Sequence, residues 1–441
     1  MFSIIKKLLS RAEYKKILEN IASLTGLQFA SYILPLITLP YLTYVLGPDR
    51  FGLTQYAISL ITYFQMLTDY GFNLSATREL AIVREDKKKV SEIFNTVMLI
   101  KIILTVISFI VLWAIVSFVP KFNADADVYL LTFGIVIGYV LFPTWLFQGM
   151  EYMKYTSILN IIGKVIFTVF IFVFIHQSSD YLLVPIINSF GYIVVGILGI
   201  YISLTRFDID LYIPTMESVK YHLKEGWHVF LSTIAINMYT TTNTFLLGLL
   251  TNNTLVGYYS IAEKIINAVN GLFNPISQAL YPFISRTVNS NDKNSNILMI
   301  RKLTKLAAVL GIIFSGGVFI FAPPIINILF GQEYASSITV LRILSIIPFM
   351  VSLSNIFGIQ TMLTFNYKKD FTKIVLMGGI IDIVLGVILI TVLKEIGIAI
   401  SFAITETFIT VAMLVFLQRK GIKILGKLPD VEEKNGDEND V

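Results

Sequence analysis

The 441-residue sequence has no cysteine and only three histidines, His176, His222 and His228. Without cysteine there is no disulfide, no thiolate nucleophile and no cysteine-ligated zinc. Three dispersed histidines make no metal cluster, so neither a metal nor a cofactor is expected. Charge is scarce too, at 14% of residues against the roughly 25% that clothe a soluble domain. Thirty-four cations against 29 anions leave a net charge of +5, too small to suggest a nucleic-acid partner. What is abundant is apolar: 55% hydrophobic residues, including 33 Phe and 22 Tyr, counted with the other apolar types. The mean hydropathy is +0.75. Such a chain belongs in lipid.

A helix crossing the hydrocarbon core needs about 20 apolar residues. Twelve such runs are legible: 20–46, 51–75, 92–119, 128–150, 156–177, 181–205, 227–250, 256–283, 303–329, 336–363, 371–393 and 396–418. The fold class is therefore all-α, a polytopic membrane protein of about twelve transmembrane helices. Alternate connections hold 27 of the 34 Lys and Arg residues, and the opposite connections hold only Arg50, Lys121 and Lys394. By the positive-inside rule both termini are cytoplasmic. Residues 1–19 read as a basic amphipathic segment on the inner leaflet rather than a cleavable signal. Residues 20–205 and 227–418 form two lobes joined by a cytoplasmic connection, 206–226, and the acidic tail 419–441 reads as disordered. The external connections 120–127, 178–180, 251–255 and 330–335 are too short for a folded outer domain, which argues against an enzyme.

The second span carries Gln55, Ser59, Thr62, Gln65, Asp69 and Asn73 on one helical face. The eighth carries Ser260, Lys264, Asn267, Asn270, Asn274 and Gln278 at the same spacings, each 205 residues later. Gln148, Met150 and Tyr155 return as Gln360, Met362 and Tyr367, 212 residues later. Two six-helix lobes related by a parallel pseudo-two-fold repeat follow, since six helices preserve polarity. A row of amides cannot face lipid. It lines a hydrated cleft between the lobes, or it hydrogen-bonds one helix to the next. Gln28 in the first span and Asn243 in the seventh are placed in the same lining. Pro35 and Pro40 kink the first span, as hinges or as fixed bends.

Four cations fall within spans, Lys101, Lys164, Lys264 and Arg342, as do the acids Asp69, Glu263, Asp382 and Glu406. Intramembrane charge is costly and marks function by default. Lys264 sits on the polar face and suits an anionic group such as a phosphate, unless an acid pairs with it. Lys101 and Lys164 either line an inward cavity or snorkel to the headgroups. Asp382 and Glu406 either relay a coupling ion or pair with Lys164 as fixed structure.

Three stretches carry a family resemblance: "LTYVLGPDRFG" from Leu42 to Gly52, "WLFQGMEYMKY" from Trp145 to Tyr155, and "ILFGQEY" from Ile328 to Tyr334. Over residues 12 to about 420 the chain resembles the bacterial polysaccharide flippases of Wzx type, in the multidrug/oligosaccharidyl-lipid/polysaccharide exporter superfamily. The resemblance implies alternating access in the bacterial cytoplasmic membrane. It also implies a substrate of oligosaccharide on undecaprenyl pyrophosphate, whether O-antigen, capsule or exopolysaccharide repeat unit. Membrane lipids and other glycan-assembly proteins are the implied partners, with pyrophosphate contacts expected from Lys264, Lys101 and Lys164. No nucleotide-binding loop is present, so transport is not expected to draw directly on ATP. A multidrug antiporter of the same superfamily is the main alternative, and a membrane enzyme of glycan assembly a weaker one.

Overall fold

The protein is described by a computed structural model that covers residues 11–274, 277 and 293–424, with side chains from residue 34 onward except 228, 232–240 and 293–295. Among these residues every regular element is helical. Hydrocarbon offers backbone N–H and C=O groups no partner, so each span must satisfy its own. The spans are α1 (11–46), α2 (48–83, with a break at Tyr70–Gly71), α3 (Lys87–Phe118), α4 (Ala126–Gly149), α5 (Met153–Phe174) and α6 (Ser178–Arg206). The second half adds α7 (Met216–Leu250), α8 (Asn253–Gly271), α9 (Lys293–Leu329), α10 (Ser336–Leu363), α11 (368–393) and α12 (395–419). Helices cover all twelve expected spans in order within the described residues, the eighth being followed only as far as residues 274 and 277. The basic segment 1–19 and the tail 419–441 lie largely outside the described residues or side chains.

Seven of the described helices are long and apolar enough to cross a membrane: α3, α4, α5, α6, α9, α10 and the joined pair α11–α12. The helices left over, α1, α2, α7 and α8, include the two polar rows. Local signals set the ends. Asp86 caps α3 by accepting from the Lys88 and Lys89 amides, and Thr215 and Asn252 cap α7 and α8 through Ser218 and Leu255. Gly47, at φ 71°, separates α1 from α2 without unwinding the chain.

The repeat is visible as a physical crossing. A Cβ on Gly52 would lie 1.8 Å from the Asn253 carbonyl oxygen, and one on Gly257 would lie 2.4 Å from that of Pro48. Each contact is the image of the other at the 205-residue offset. The Thr254 hydroxyl meets Asp49 Oδ1 at 3.4 Å, again between residues 205 apart. α2 and α8 therefore cross on the pseudo-axis, backbone against backbone, because glycine leaves room. The later match is shifted by the structure. Glu151 and Asn366 share φ values of 63° and 64°. The next amides, of Tyr152 and Tyr367, reach back to Phe147 O at 2.7 Å and Met362 O at 2.8 Å. These turns are 215 residues apart rather than 212, and α10 winds as a π-helix over Asn355–Leu363, which takes more residues per turn than an α-helix.

Around this crossing, at the end away from the basic connections, each half grips the other. Lys121, between α3 and α4, donates to the carbonyls of Leu249 and Thr251 at 2.8 and 2.9 Å. A cation here complements the C-terminal pole of α7. Tyr334, between α9 and α10, donates to the Thr43 carbonyl of α1 at 3.1 Å. At the basic end the start of α7 rests on the first half. Thr96 and Ser218 share a 3.0 Å hydrogen bond, and His222 Nε2 lies 3.3 Å from Glu79 Oε2. Burial works against a charged His222, but Glu79 and the Ser218 carbonyl outweigh it and raise its pKa above the ordinary 6.5.

Because the chain has no native cysteine, Asp49→Cys with Thr254→Cys should cross-link on oxidation, and adding Gly52→Val should cut the yield several-fold. A gel shift reads both. A raised histidine pKa stabilises the fold fully below the unfolded value of about 6.5 and ceases to do so as pH climbs through the folded one. The fall in melting temperature between pH 6 and pH 8.5 should therefore be smaller in His222→Gln than in the wild type.

Candidate functional site

A cavity of about 600 Å³ opens among α1, α2, α4, α5 and α6, with Lys264 of α8 as its contribution from the second half. Pro35 lines it from α1, and Gly163 and Gly191 line it from α5 and α6. Its polar surface comes from Gln55 and Gln65 of α2, Asn160 of α5 and Asn188 of α6. Lys164 of α5 and Lys264 supply the cations, and the described lining holds no carboxylate. An ammonium pair in such a space attracts an anion strongly, because low-polarity walls screen poorly.

Glu263, next to Lys264 in sequence, is absent from the cavity lining, accepts from the Thr244 hydroxyl of α7 at 3.0 Å and lies within electrostatic reach of Lys264. That is the geometry expected of neighbours about 100° apart on a helix. Lys101 is placed differently from the other lysines. Its side chain is 1% exposed and its Nζ lies 3.8 Å from Asp69 Oδ1. The wall of α4 stands between it and the cavity, with the Tyr139 ring 5.2 Å from the ammonium. Arg342 stacks over Phe319 at 5.5 Å, away from the cavity lining.

The polar rows divide on inspection. Gln55 and Gln65 reach the cavity, whereas Ser59 and Thr62 spend their hydroxyls on the Tyr56 and Ile58 carbonyls of their own helix. Asp69 is buried, and Asn73 bonds to Tyr139 and Thr144 of α4. On α8, Asn267 and Asn274 are exposed, Asn270 is half-buried, and none of the three is in the cavity wall. Gln278 and the side chain of Gln28 lie outside the described residues. Among described residues the cavity is therefore lopsided. It belongs mostly to the first half, whereas the polar rows pointed to a central cleft between the halves, part of whose second-half wall lies outside the described side chains. Asn160, Asn188, Tyr139, Thr144 and Tyr192 were missed, although Asn160, Lys164 and Thr168 recur at spacings of four on α5 and Asn188 and Tyr192 lie four apart on α6. These short rows within apolar runs were the available signal.

The second half holds a separate polar cluster. Asp382 of α11 is fully buried and accepts from Ser401 and Thr405 of α12, at 3.0 and 3.3 Å through Oδ1. Asn243 of α7 also donates to this carboxyl. Asp382 Oδ2 has no hydrogen-bond partner among the described residues. Glu406, buried on α12 within the electrostatic reach of Asp382, completes the group. Asn243 thus belongs with the acids and not with the cavity. No group of three or more His, Cys, Asp or Glu suited to a metal ion occurs among the described residues.

Known proteins share this plan. The sequence model of the family described as "Polysaccharide biosynthesis protein" matches residues 17–288. A protein of Escherichia coli (strain K12) named "Putative O-antigen transporter" is 37% identical over 405 residues, covering 92% of this chain and 97% of its own length. Among solved structures, an inward-facing multidrug resistance MATE family transporter of the MOP superfamily superposes with a TM-score of 0.70 at 16% identity, covering 89% of this chain and 94% of its own. The lipid II flippase MurJ, in an inward closed conformation, gives 0.68 at 16% identity, covering 91% and 90%. At such identities the two structures establish the fold alone. The sequence matches go further, and by them this chain belongs to the polysaccharide biosynthesis protein family.

Proposed function

We propose that the protein is a flippase, not an enzyme, that carries a polyprenyl-pyrophosphate-linked oligosaccharide from the inner to the outer leaflet of the bacterial cytoplasmic membrane. The observation that carries this reading is the pair of lysines, Lys164 and Lys264, brought from opposite halves to one cavity that contains no carboxylate in its described lining. A bare pyrophosphate cannot enter hydrocarbon, because a buried charge must be paired or neutralised. Two ammonium groups on different lobes pair it, and the amides of Gln55, Gln65, Asn160 and Asn188 serve sugar hydroxyls. The isoprenoid tail stays in lipid. The names of the E. coli relative and of the lipid II flippase support the substrate class.

Alternating access follows from where the cavity is shut. The α2–α8 crossing with the Lys121 and Tyr334 contacts closes the end away from the basic connections. With the basic connections cytoplasmic, this conformation is closed to the outside. Rocking of the halves separates Gly52 from Gly257 and moves Lys264 relative to Lys164, so that release accompanies opening. A drug-exporting role, which the MATE likeness raises, needs a carboxylate for cationic compounds, and the described cavity lining offers lysines instead. Energy for the cycle comes from an ion gradient acting at Asp382 and Glu406, whose buried carboxyls have the partners to take and release a cation or proton. Membrane lipids surround the whole, and glycan-assembly proteins are its functional neighbours.

In liposomes loaded with labelled polyprenyl-pyrophosphate oligosaccharide, Lys264→Ala should lower the transport rate at least about tenfold, the loss expected for one charge-assisted contact, and Lys264→Arg should retain most of it. Normal transport by Lys264→Ala would remove this lysine from the mechanism. Wild-type protein that moved only cationic drugs would overturn the flippase reading itself. Asp382→Asn is expected to keep substrate binding but lose the stimulation of transport by an imposed proton or sodium gradient. Undiminished stimulation by both ions would exclude Asp382 as the coupling site.

A further inference from the structure

The buried Lys101–Asp69 pair has no place in the scheme above, yet the chain bears the cost of desolvating both charges. Its surroundings explain it. Tyr139 Oη lies 3.4 Å from Asp69 Oδ1, Asn73 Nδ2 lies 2.9 Å from Tyr139 Oη, and Thr144 Oγ1 lies 2.7 Å from Asn73 Oδ1. This chain of four side chains has one direction. Asp69 Oδ1 accepts from the Tyr139 hydroxyl and lies 3.8 Å from Lys101 Nζ, whose positive charge favours the carboxylate form that only accepts. Tyr139 must therefore donate its proton to Asp69, which leaves its oxygen to accept from the amide of Asn73. The amide nitrogen of Asn73 then faces Tyr139 and its carbonyl faces Thr144, so Thr144 must donate inward. Reversing any link would set donor against donor or acceptor against acceptor.

Tyr139 and Thr144 both line the cavity. Five residues apart on an unbroken helix, they would point about 140° away from each other. The break in α4 at Phe142–Pro143 brings them to the same asparagine. With its proton committed inward, the Thr144 hydroxyl presents only lone pairs to the cavity, while the Tyr139 oxygen is engaged by Asp69 and Asn73 and its side chain forms part of the wall. Such a surface accepts from sugar hydroxyls and acetamido N–H groups and offers nothing to phosphate oxygens.

We propose that Thr144 is the acceptor of a sugar-binding subsite whose polarity is set, through Asn73 and Tyr139, by the buried Lys101–Asp69 pair. The substrate is thereby oriented with its pyrophosphate toward Lys164 and Lys264 and its glycan against α4. This deepens the flippase reading and rests on it. Lys101 is a positioning residue that never touches substrate.

Binding of two probes to the full-length protein in nanodiscs separates the possibilities: undecaprenyl pyrophosphate, and undecaprenyl-pyrophosphoryl-N-acetylglucosamine. Wild type should bind the sugar-bearing probe more tightly than the bare one. Thr144→Val should reduce that advantage about three- to tenfold, as for one lost hydrogen bond, with bare-probe affinity unchanged. Thr144→Ser should preserve the advantage, and Lys101→Met should lose it although the residue lies outside the cavity. An advantage that survives Thr144→Val, or that is lost equally in Thr144→Ser, would overturn the subsite. So would equal loss of both probes in Thr144→Val, which marks a merely structural role. Bare-probe binding by wild type with no sugar advantage sinks this inference alone. Failure to bind either probe sinks the flippase reading and the subsite with it.

Discussion

Hydrocarbon solvates neither a peptide group nor an ammonium ion, and the architecture follows from that constraint. Each of the twelve spans closes its own backbone hydrogen bonds. Every polar side chain between the membrane faces then needs a protein partner or a water-filled space. The protein meets this demand in three places. α2 and α8 cross so closely that carbonyl oxygens occupy the space where side chains would be. A first-half cavity gathers the amides and two of the four intramembrane cations. A second-half cluster gathers two of the four intramembrane acids with hydroxyls around them.

The two halves have diverged within one plan. They share the glycine crossing at an offset of 205, and their later turns match at 215. In α4 the helix breaks at Pro143, while the corresponding stretch of α10 winds as a π-helix whose Gln360 holds the Ser277 carbonyl of the chain beyond α8 at 2.9 Å. The break at Phe142–Pro143 forms part of the cavity wall, which both Phe142 and Thr144 line. The divergence of the halves allows them separate tasks in the proposed cycle, substrate in the first and ion in the second. The contacts between them at the closed end combine an apolar core that runs through both halves with reciprocal polar contacts. Lys121 and Tyr334 each hold a carbonyl at the last turn of a helix, and such contacts can be exchanged for water when the halves part.

Much of this was legible without coordinates, because membrane insertion writes simple rules into a chain. The alternation of lysine-rich connections yielded the span count, since one missed helix would have mixed the two sets. The 205-residue repeat of Gln55–Asn73 with Ser260–Gln278 pointed to α2 and α8 as the central pair, and Gly52 and Gly257 now give that pairing its contact. The polar face itself was a poorer guide. Ser59 and Thr62 bond to their own backbone, as hydroxyls in helices readily do. Periodicity reports which side a residue is on, not how its proton is used.

The four intramembrane lysine and arginine positions mark the boundary between the two kinds of information. Sequence alone determined that Lys101, Lys164, Lys264 and Arg342 sit within spans and must each be accounted for, because hydropathy and charge order are local properties of a chain in lipid. It placed Lys264 ahead of Lys101, because Lys264 lies on a repeated polar face, but it could not say what either one touches. Tertiary packing decided that. The rotation of α3 turns Lys101 to Asp69, 32 residues earlier in the chain, and seals the pair behind Tyr139. The crossing of α8 over α2 delivers Lys264 to a cavity built by the other half. A charge in low dielectric takes its role from whatever lies within a few ångströms, and those neighbours are set by how helices cross and turn, which no stretch of sequence records.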